Sequence, residues 1–93
     1  MDSRLQIIIA GEVQGVFFRA GTVSEAKKLK LTGWVRNTED GSVEVMAEGE
    51  RNALESLLDW CYHGPEGASV SSIEYRWLDA SGEFGDFSVK YDK

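Results

Sequence analysis

The sequence has few of the residues that carry metal, redox and covalent chemistry. Among 93 residues there is one cysteine, one histidine and one proline. One cysteine cannot form an internal disulfide, so nothing indicates secretion, and we expect a cytoplasmic protein. His63 is the one histidine of the chain. The sequence therefore supports neither a zinc site, nor a Cys–His pair, nor a Ser–His–Asp triad. Walker A and G-x-G-x-x-G motifs are absent as well.

Long apolar runs and excess positive charge are also missing. No stretch approaches the roughly 18 apolar residues of a membrane span. From Met1-Asp2-Ser3-Arg4 we expect no signal peptide. Ten Lys and Arg against sixteen Asp and Glu give a net charge of −6, which disfavours nucleic acid and anionic membranes as partners. Residues 1–36 nevertheless carry six basic and three acidic side chains. A small anion could be attracted there.

The length suits one domain, residues 1–93, and the pattern predicts short alternating strands and helices. Strands are predicted over Leu5–Ala10, Thr32–Asn37, Ser42–Glu48, Val70–Leu78 and Phe87–Tyr91, and helices over about Ala20–Lys30 and Arg51–Tyr62. This order predicts an α+β fold, the ferredoxin-like βαββαβ sandwich, in which two helices cover one face of an antiparallel sheet.

The alternation within the strands predicts which side chains are buried. On the third strand, Val43, Val45 and Ala47 should face the core, and Glu44, Met46 and Glu48 should face water. On the fourth strand, Ile73, Tyr75 and Trp77 should point inward. The helix Arg51–Tyr62 should bury Cys61 as an unreactive thiol. We expect the aromatic residues to pack rather than to bind ligands, namely Trp34, Trp60, Trp77, Phe17 and Phe18.

The segment G-E-V-Q-G-V-F-F-R, Gly11 to Arg19, joins the first strand to the first helix. Such a loop can direct several backbone N–H groups at one anion beside a helix N-terminus, and an arginine can bind two oxygens of one phosphate. The alternative is that the glycines only turn the chain and Arg19 pairs with a surface carboxylate. The role of Asn37 is open in the same way. Asparagine is favoured beside the predicted turn Thr38–Gly41, so Asn37 could serve only to form that turn.

This segment resembles the first signature of the acylphosphatase family, G-x-V-Q-G-V-x-[FY]-R, at every fixed position. Gly33 to Gly49 resembles the second signature, G-[FYW]-[AVC]-x-N-x3-G-x-V-x5-G, and the likeness extends over practically the whole chain. Two signatures in the expected order are far more specific than either alone. The departures are Glu12, where a basic residue is frequent, and Lys30, where glycine is frequent.

The resemblance implies hydrolysis of acyl phosphates to carboxylate and inorganic phosphate, without metal or cofactor. It implies that Arg19 and Asn37 are catalytic, with Asn37 holding the attacking water. The phosphate would be bound by Arg19 and by the backbone of Gln14, Gly15, Val16, Phe17, Phe18 and Arg19. The expected partners are a small acyl phosphate and inorganic phosphate as product and inhibitor, and the expected state is a monomer.

Two other functions are weighed against this one. A regulatory domain of the same fold could bind phosphate without turnover, and similar modules occur inside larger carbamoyl-transfer proteins, although the length here favours a free-standing form. An RNA-recognition module shares the element order, but it needs aromatic residues where the third strand has Glu44 and Glu48.

Overall fold

The computed structural model describes residues 2–91, so Met1, Asp92 and Lys93 of the predicted domain lie outside the described residues. Two helices and five strands follow one another as β1 Asp2–Glu12, α1 Phe18–Lys28, β2 Thr32–Asn37, β3 Val43–Glu50, α2 Arg51–His63, β4 Ser69–Asp79 and β5 Phe87–Val89. All predicted elements are present in the predicted order. Neither α1 nor α2 is long and apolar enough to cross a membrane.

The strands form one sheet in the order β4-β1-β3-β2-β5, which confirms the ferredoxin-like α+β fold. The neighbours are antiparallel with one exception, since β5 lies parallel to β2 with Gly33 opposite Phe87. The sheet is therefore mixed rather than wholly antiparallel. Because β4 and β5 lie at opposite edges, the connection between them crosses the sheet and brings the end of the chain beside β2.

The core lies between the sheet and the helices, as the alternation predicts. Leu5, Ile7 and Ile9 of β1 are fully buried, and their antiparallel partners on β3 complete the floor of the core. The apolar positions of α2 pack on this floor: Leu54, Leu57, Leu58 and Cys61. Tyr75 differs from the prediction, because its side chain is 47% exposed on the edge strand β4.

The helix-free face of the sheet, which is the face that neither helix covers, is less exposed to solvent than predicted. Glu44 and Glu48 are only 8% and 4% exposed, because arginine side chains and a distant loop cover them. Arg4 Nε donates to Glu48 over 2.6 Å, and an Arg36 nitrogen lies 2.7 Å from Glu44. The backbone N–H groups of Ser81 and Gly82 also donate to Glu48, and so fasten the β4–β5 connection to the sheet. Paired carboxylates of this kind offer no surface on which RNA bases could stack.

Helix α1 begins and ends two residues earlier than predicted, and Lys30 accounts for its end. Lys30 has a left-handed backbone with φ of 61°. Its N–H donates to Lys27 O, and the N–H of Leu31 donates to Ala26 O. These two bonds form a Schellman cap, a position at which glycine is normally preferred.

Candidate active site

The loop between β1 and α1, residues 13–17, has a backbone shape suited to binding an anion. Gly15 and Phe17 have positive φ angles of 78° and 65°. Left-handed residues in a tight loop turn neighbouring N–H groups towards one side. Phe17 is the N-cap of α1, yet its side chain caps nothing, and the first turn of α1 has no acidic residue. The positive end of the helix is therefore left without a negative partner from the first turn.

The N–H groups of this region have no acceptors among residues 2–91. The first backbone bond of α1 runs from Gly21 N–H to Phe17 O. Within the described part of the chain, the N–H groups of residues 14–20 donate to no other residue. A run of unpaired donors at a helix N-terminus is the arrangement that binds phosphate in many proteins.

Arg19 lies in the first turn of α1, with its side chain partly buried. Its guanidinium carbon is 5.5 Å from the centre of the Tyr91 ring. No carboxylate among residues 2–91 lies within ion-pair distance of it, so the alternative of a surface ion pair is not what is observed there. Its five donors are available for an anionic ligand.

Asn37 is the last residue of β2, opposite Val43 of β3. Its Oδ1 atom is the one buried side-chain nitrogen or oxygen atom of the described residues that has no hydrogen-bond partner. The hydrogen bonds of the following turn are made by other residues, since Thr38 Oγ1 donates to Asp40 and accepts from the N–H of Ser42. Asn37 is therefore not needed to build the turn, and its unpaired acceptor is free for a ligand or water.

The side chain of Gln14 links the loop to this turn. Its Nε2 donates to Thr38 O over 3.0 Å and to Ser42 O over 2.9 Å. The turn itself is closed by Thr38 N–H donating to Ser42 O and by Gly41 with φ of 92°. Gln14 was predicted only for its backbone, and no local pattern signals a contact between residues so far apart in the sequence.

Most of the predicted site residues line one cavity with a volume of about 260 Å³. Five of them line it: Gly15, Phe17, Phe18, Arg19 and Asn37. Gln14 and Val16 do not, since Gln14 turns to the β2–β3 turn and Val16 packs against the core. Among residues 2–91, no three His, Cys, Asp or Glu side chains are grouped closely enough to hold a metal ion.

Four further residues of the cavity wall were not predicted: Val13, Ala20, Val89 and Tyr91. Val89 and Tyr91 reach the site because β5 pairs in parallel with β2 and Lys90 N–H donates to Val35 O. Phe17 was predicted to pack and does not. Its ring is 82% exposed at the cavity, whereas Phe18 is buried against Trp60 as expected.

The comparisons with known proteins agree on one family. The acylphosphatase family model matches residues 5–89. The chain is 48% identical to the acylphosphatase of Anaeromyxobacter sp. (strain Fw109-5) over 89 residues, which are 96% of each chain. It is 43% identical to the acylphosphatase of Pelotomaculum thermopropionicum over 89 residues, 96% of this chain and 97% of that one.

Solved structures agree with the sequence comparisons. The crystal structure of acylphosphatase from Bacillus subtilis matches with a TM-score of 0.92 at 40% identity, covering 98% of this chain and 100% of that chain. The Coxiella burnetii acylphosphatase matches with a TM-score of 0.90 at 37% identity, covering 96% and 93%. Full-length HypF in its phosphate- and nucleotide-bound form matches with a TM-score of 0.86 at 26% identity, covering 98% of this chain but 12% of that one.

Proposed function

Because the chain belongs to the acylphosphatase family and is a hydrolase that acts on acid anhydrides, we propose that it cleaves acyl phosphates at the cavity between the β1–α1 loop and β2. One observation carries the assignment of the site. Arg19 and Asn37, from different elements, line the same cavity as a loop whose N–H groups lack acceptors among the described residues. The products are a carboxylate and inorganic phosphate.

In this proposal the phosphoryl group is bound by backbone N–H groups and by the positively charged side chain of Arg19. The N–H groups of loop residues that line the cavity, Gly15, Phe17, Phe18 and Arg19, donate to the phosphoryl oxygens at the N-terminus of α1, where the helix dipole favours negative charge. Arg19 adds a forked donor that matches two oxygens of the same group. These donors are in place before substrate arrives, so they stabilise developing charge without reorganisation.

Asn37 orients the attacking water in this mechanism. Its unpaired Oδ1 accepts a hydrogen bond from the water, whose oxygen attacks phosphorus in line with the leaving carboxylate. The new P–O bond forms as the bond between phosphorus and the carboxylate oxygen breaks, and the carboxylate leaves with that electron pair. The proton of the water passes to a phosphoryl oxygen of the substrate itself.

The chemistry explains why no histidine base or general acid is required. The leaving carboxylate has a conjugate acid with a pKa of about 4, so it departs without protonation. Phosphoryl transfer passes through a loose transition state that responds mainly to positioning and to charge stabilisation. We further propose that the reaction needs no metal ion, so a chelator should leave the rate unchanged.

The direct test is hydrolysis of benzoyl phosphate and acetyl phosphate by the purified chain. We expect turnover, competitive inhibition by inorganic phosphate, and a fall in kcat/KM of about 10²–10³-fold in Arg19→Gln, the usual effect of removing one such donor. Arg51→Gln is the matched control, because Arg51 is exposed on α2 and packs on Trp77 away from the cavity. Phosphate binding without turnover by the wild-type chain would instead favour a regulatory domain.

We also propose that the chain acts as a monomer. The large apolar side chains exposed among residues 2–91 are Phe17, Tyr62, Tyr75 and Tyr91, and two of these line the cavity. Isolated exposed aromatics do not form the continuous apolar patch of a stable interface. Light scattering behind a sizing column should give the mass of one chain, and a concentration-independent dimer would contradict this.

A further inference from the structure

The loop that binds phosphate in the proposed function, residues 13–17, has little in its own backbone to fix its shape. Phe17 has a left-handed backbone with φ of 65°, a costly conformation that persists only where the surrounding structure holds it. Within residues 2–91, the backbone N–H groups of positions 14–20 donate to no other residue, so hydrogen bonds from these groups do not hold the loop. Packing of the neighbouring side chains therefore has to contribute.

Phe18, the first residue of α1, packs the end of this loop against α2. Its side chain is buried, and it lies between Phe17 and Arg19 in the sequence. The centre of its ring is 5.4 Å from that of Trp60 on α2, and the two ring planes meet at 67°, the edge-to-face arrangement that aromatic rings prefer. A side-chain carbon at Gly64 would lie 2.6 Å from Phe18 Cε2. The end of α2 therefore leaves room for this ring.

Trp60 also contacts α1 one turn further along the helix. A methyl group at Gly21 would lie 2.9 Å from Trp60 Cη2 and 3.0 Å from Trp60 Cζ2, so the indole ring packs directly on the helix backbone there. The N–H of Gly21 makes the first backbone bond of α1, to Phe17 O. One indole ring thus contacts both ends of the first turn, which contains Arg19 and the unpaired N–H groups.

We propose that Trp60 is a positioning residue: by packing on Phe18 and Gly21, its indole ring fixes the donors that bind the phosphoryl group. These donors are the guanidinium of Arg19 and the N–H groups at the start of α1. The inference rests on the proposed function, and it gives α2 a part in the reaction although no residue of α2 lines the cavity. A displaced first turn would move the donors away from the phosphoryl oxygens, and displacements of this kind are costly to the rate.

The first experiment adds one methyl group at this contact. In Gly21→Ala the first turn of α1 and the indole ring have to separate, whereas the variant should fold because alanine forms helices better than glycine does. We expect the inhibition constant of inorganic phosphate to rise about tenfold and kcat/KM for benzoyl phosphate to fall at least as much. Phenylalanine lacks the Cζ2 and Cη2 atoms that the methyl group meets. In a Trp60→Phe background, Gly21→Ala should therefore change either value less than about twofold.

Trp60→Leu and Leu54→Ala form a matched pair, because both shorten an apolar side chain of α2 and Leu54 lies near the other end of the helix. Both should lower the unfolding temperature, but only Trp60→Leu should weaken phosphate inhibition, again about tenfold. Phosphate inhibition that is unchanged in either Gly21→Ala or Trp60→Leu, or weakened equally in Trp60→Leu and Leu54→Ala, would overturn this inference and leave the proposed function intact. So would an equal effect of Gly21→Ala in both backgrounds. Wild-type protein that does not hydrolyse benzoyl phosphate would overturn both.

Discussion

Gln14 donates its side-chain amide to the carbonyl oxygen of Ser42 over 2.9 Å and to that of Thr38 over 3.0 Å. This pair of bonds joins the loop that precedes Arg19 to the turn that follows Asn37. The two proposed catalytic side chains are thus connected through one amide as well as through the sheet. The relative position of water and phosphate depends on this link in our account.

We expect Gln14→Ala to lower kcat/KM for benzoyl phosphate about tenfold, because small displacements of a reacting group are costly to the rate. The free energy of unfolding should fall by only about 1 kcal/mol, the usual net contribution of such hydrogen bonds. Steady-state kinetics and urea unfolding measure the two effects. Gln6→Ala is the control, since Gln6 bonds Glu44 on the helix-free face. Equal kinetic losses in both variants would show that the link has no special role.

The lowered pKa of Glu48 predicts that the free energy of unfolding depends on pH. Burial alone would raise the pKa of its carboxyl group, but donation from Ser81 N–H, Arg4 and Gly82 N–H outweighs burial and lowers the pKa from 4.5 to about 2. The folded pKa is the lower one, so the stabilisation is complete above pH 4.5. It is lost as the pH falls towards 2. We expect the free energy of unfolding to decline over that range.

The Glu48→Gln protein should be less stable than the wild type at pH 7 by about 3 kcal/mol, because the amide keeps only one of the two acceptor oxygens and loses the negative charge paired with Arg4. Its stability should decline less steeply between pH 4.5 and 2. Denaturant titrations at several pH values measure this. Glu74→Gln, at an exposed position on β4, is the control. Parallel pH profiles for wild type and Glu48→Gln would contradict the assignment.

Replacing Lys30 with glycine should stabilise the protein. A side chain at φ of 61° costs energy that glycine avoids, so Lys30→Gly should raise the free energy of unfolding by about 1 kcal/mol. Lys30→Ala is the matched control, because alanine removes the same charge and retains the strain. Thermal and urea unfolding report the difference. The explanation fails if alanine stabilises as much as glycine does.

Cys61 should be unreactive in the folded protein. It is fully buried in α2, and burial raises the pKa of its thiol to about 12. A thiolate is the reactive form, so a thiol-specific colorimetric reagent at pH 8 should label the native protein only as fast as it unfolds. Labelling should be complete in denaturant. Rapid labelling of the native chain would mean that the helix opens on its own.

The elements and the core were predictable because they depend on local pattern. Alternation predicted that Val43, Val45 and Ala47 face the core, and all three are buried. The resemblance to the family signatures implied Arg19 and Asn37 as site residues. The helix-free face was predicted wrongly, because alternation shows which way Glu44 and Glu48 point but not which distant arginines and loop cover them.

Part of the cavity wall could not be predicted for a similar reason. Tyr91 reaches Arg19 only because β5 crosses to the far edge of the sheet and pairs in parallel with β2. Phe17 was likewise expected to pack rather than to bind a ligand, but its left-handed backbone at the start of α1 leaves it exposed. Contacts that depend on strand order or on one left-handed residue leave no periodic pattern.

In the proposed mechanism, Arg19 binds the phosphoryl group while Asn37 acts on the water. The most direct measurement is kcat together with the inhibition constant of inorganic phosphate, in Arg19→Gln, Asn37→Ala and the control Asn52→Ala at an exposed position of α2. We predict that Asn37→Ala loses about a hundredfold in kcat with phosphate inhibition nearly unchanged, whereas Arg19→Gln weakens phosphate inhibition at least about tenfold. Undiminished turnover by Asn37→Ala, or undiminished phosphate inhibition of Arg19→Gln, would contradict the account.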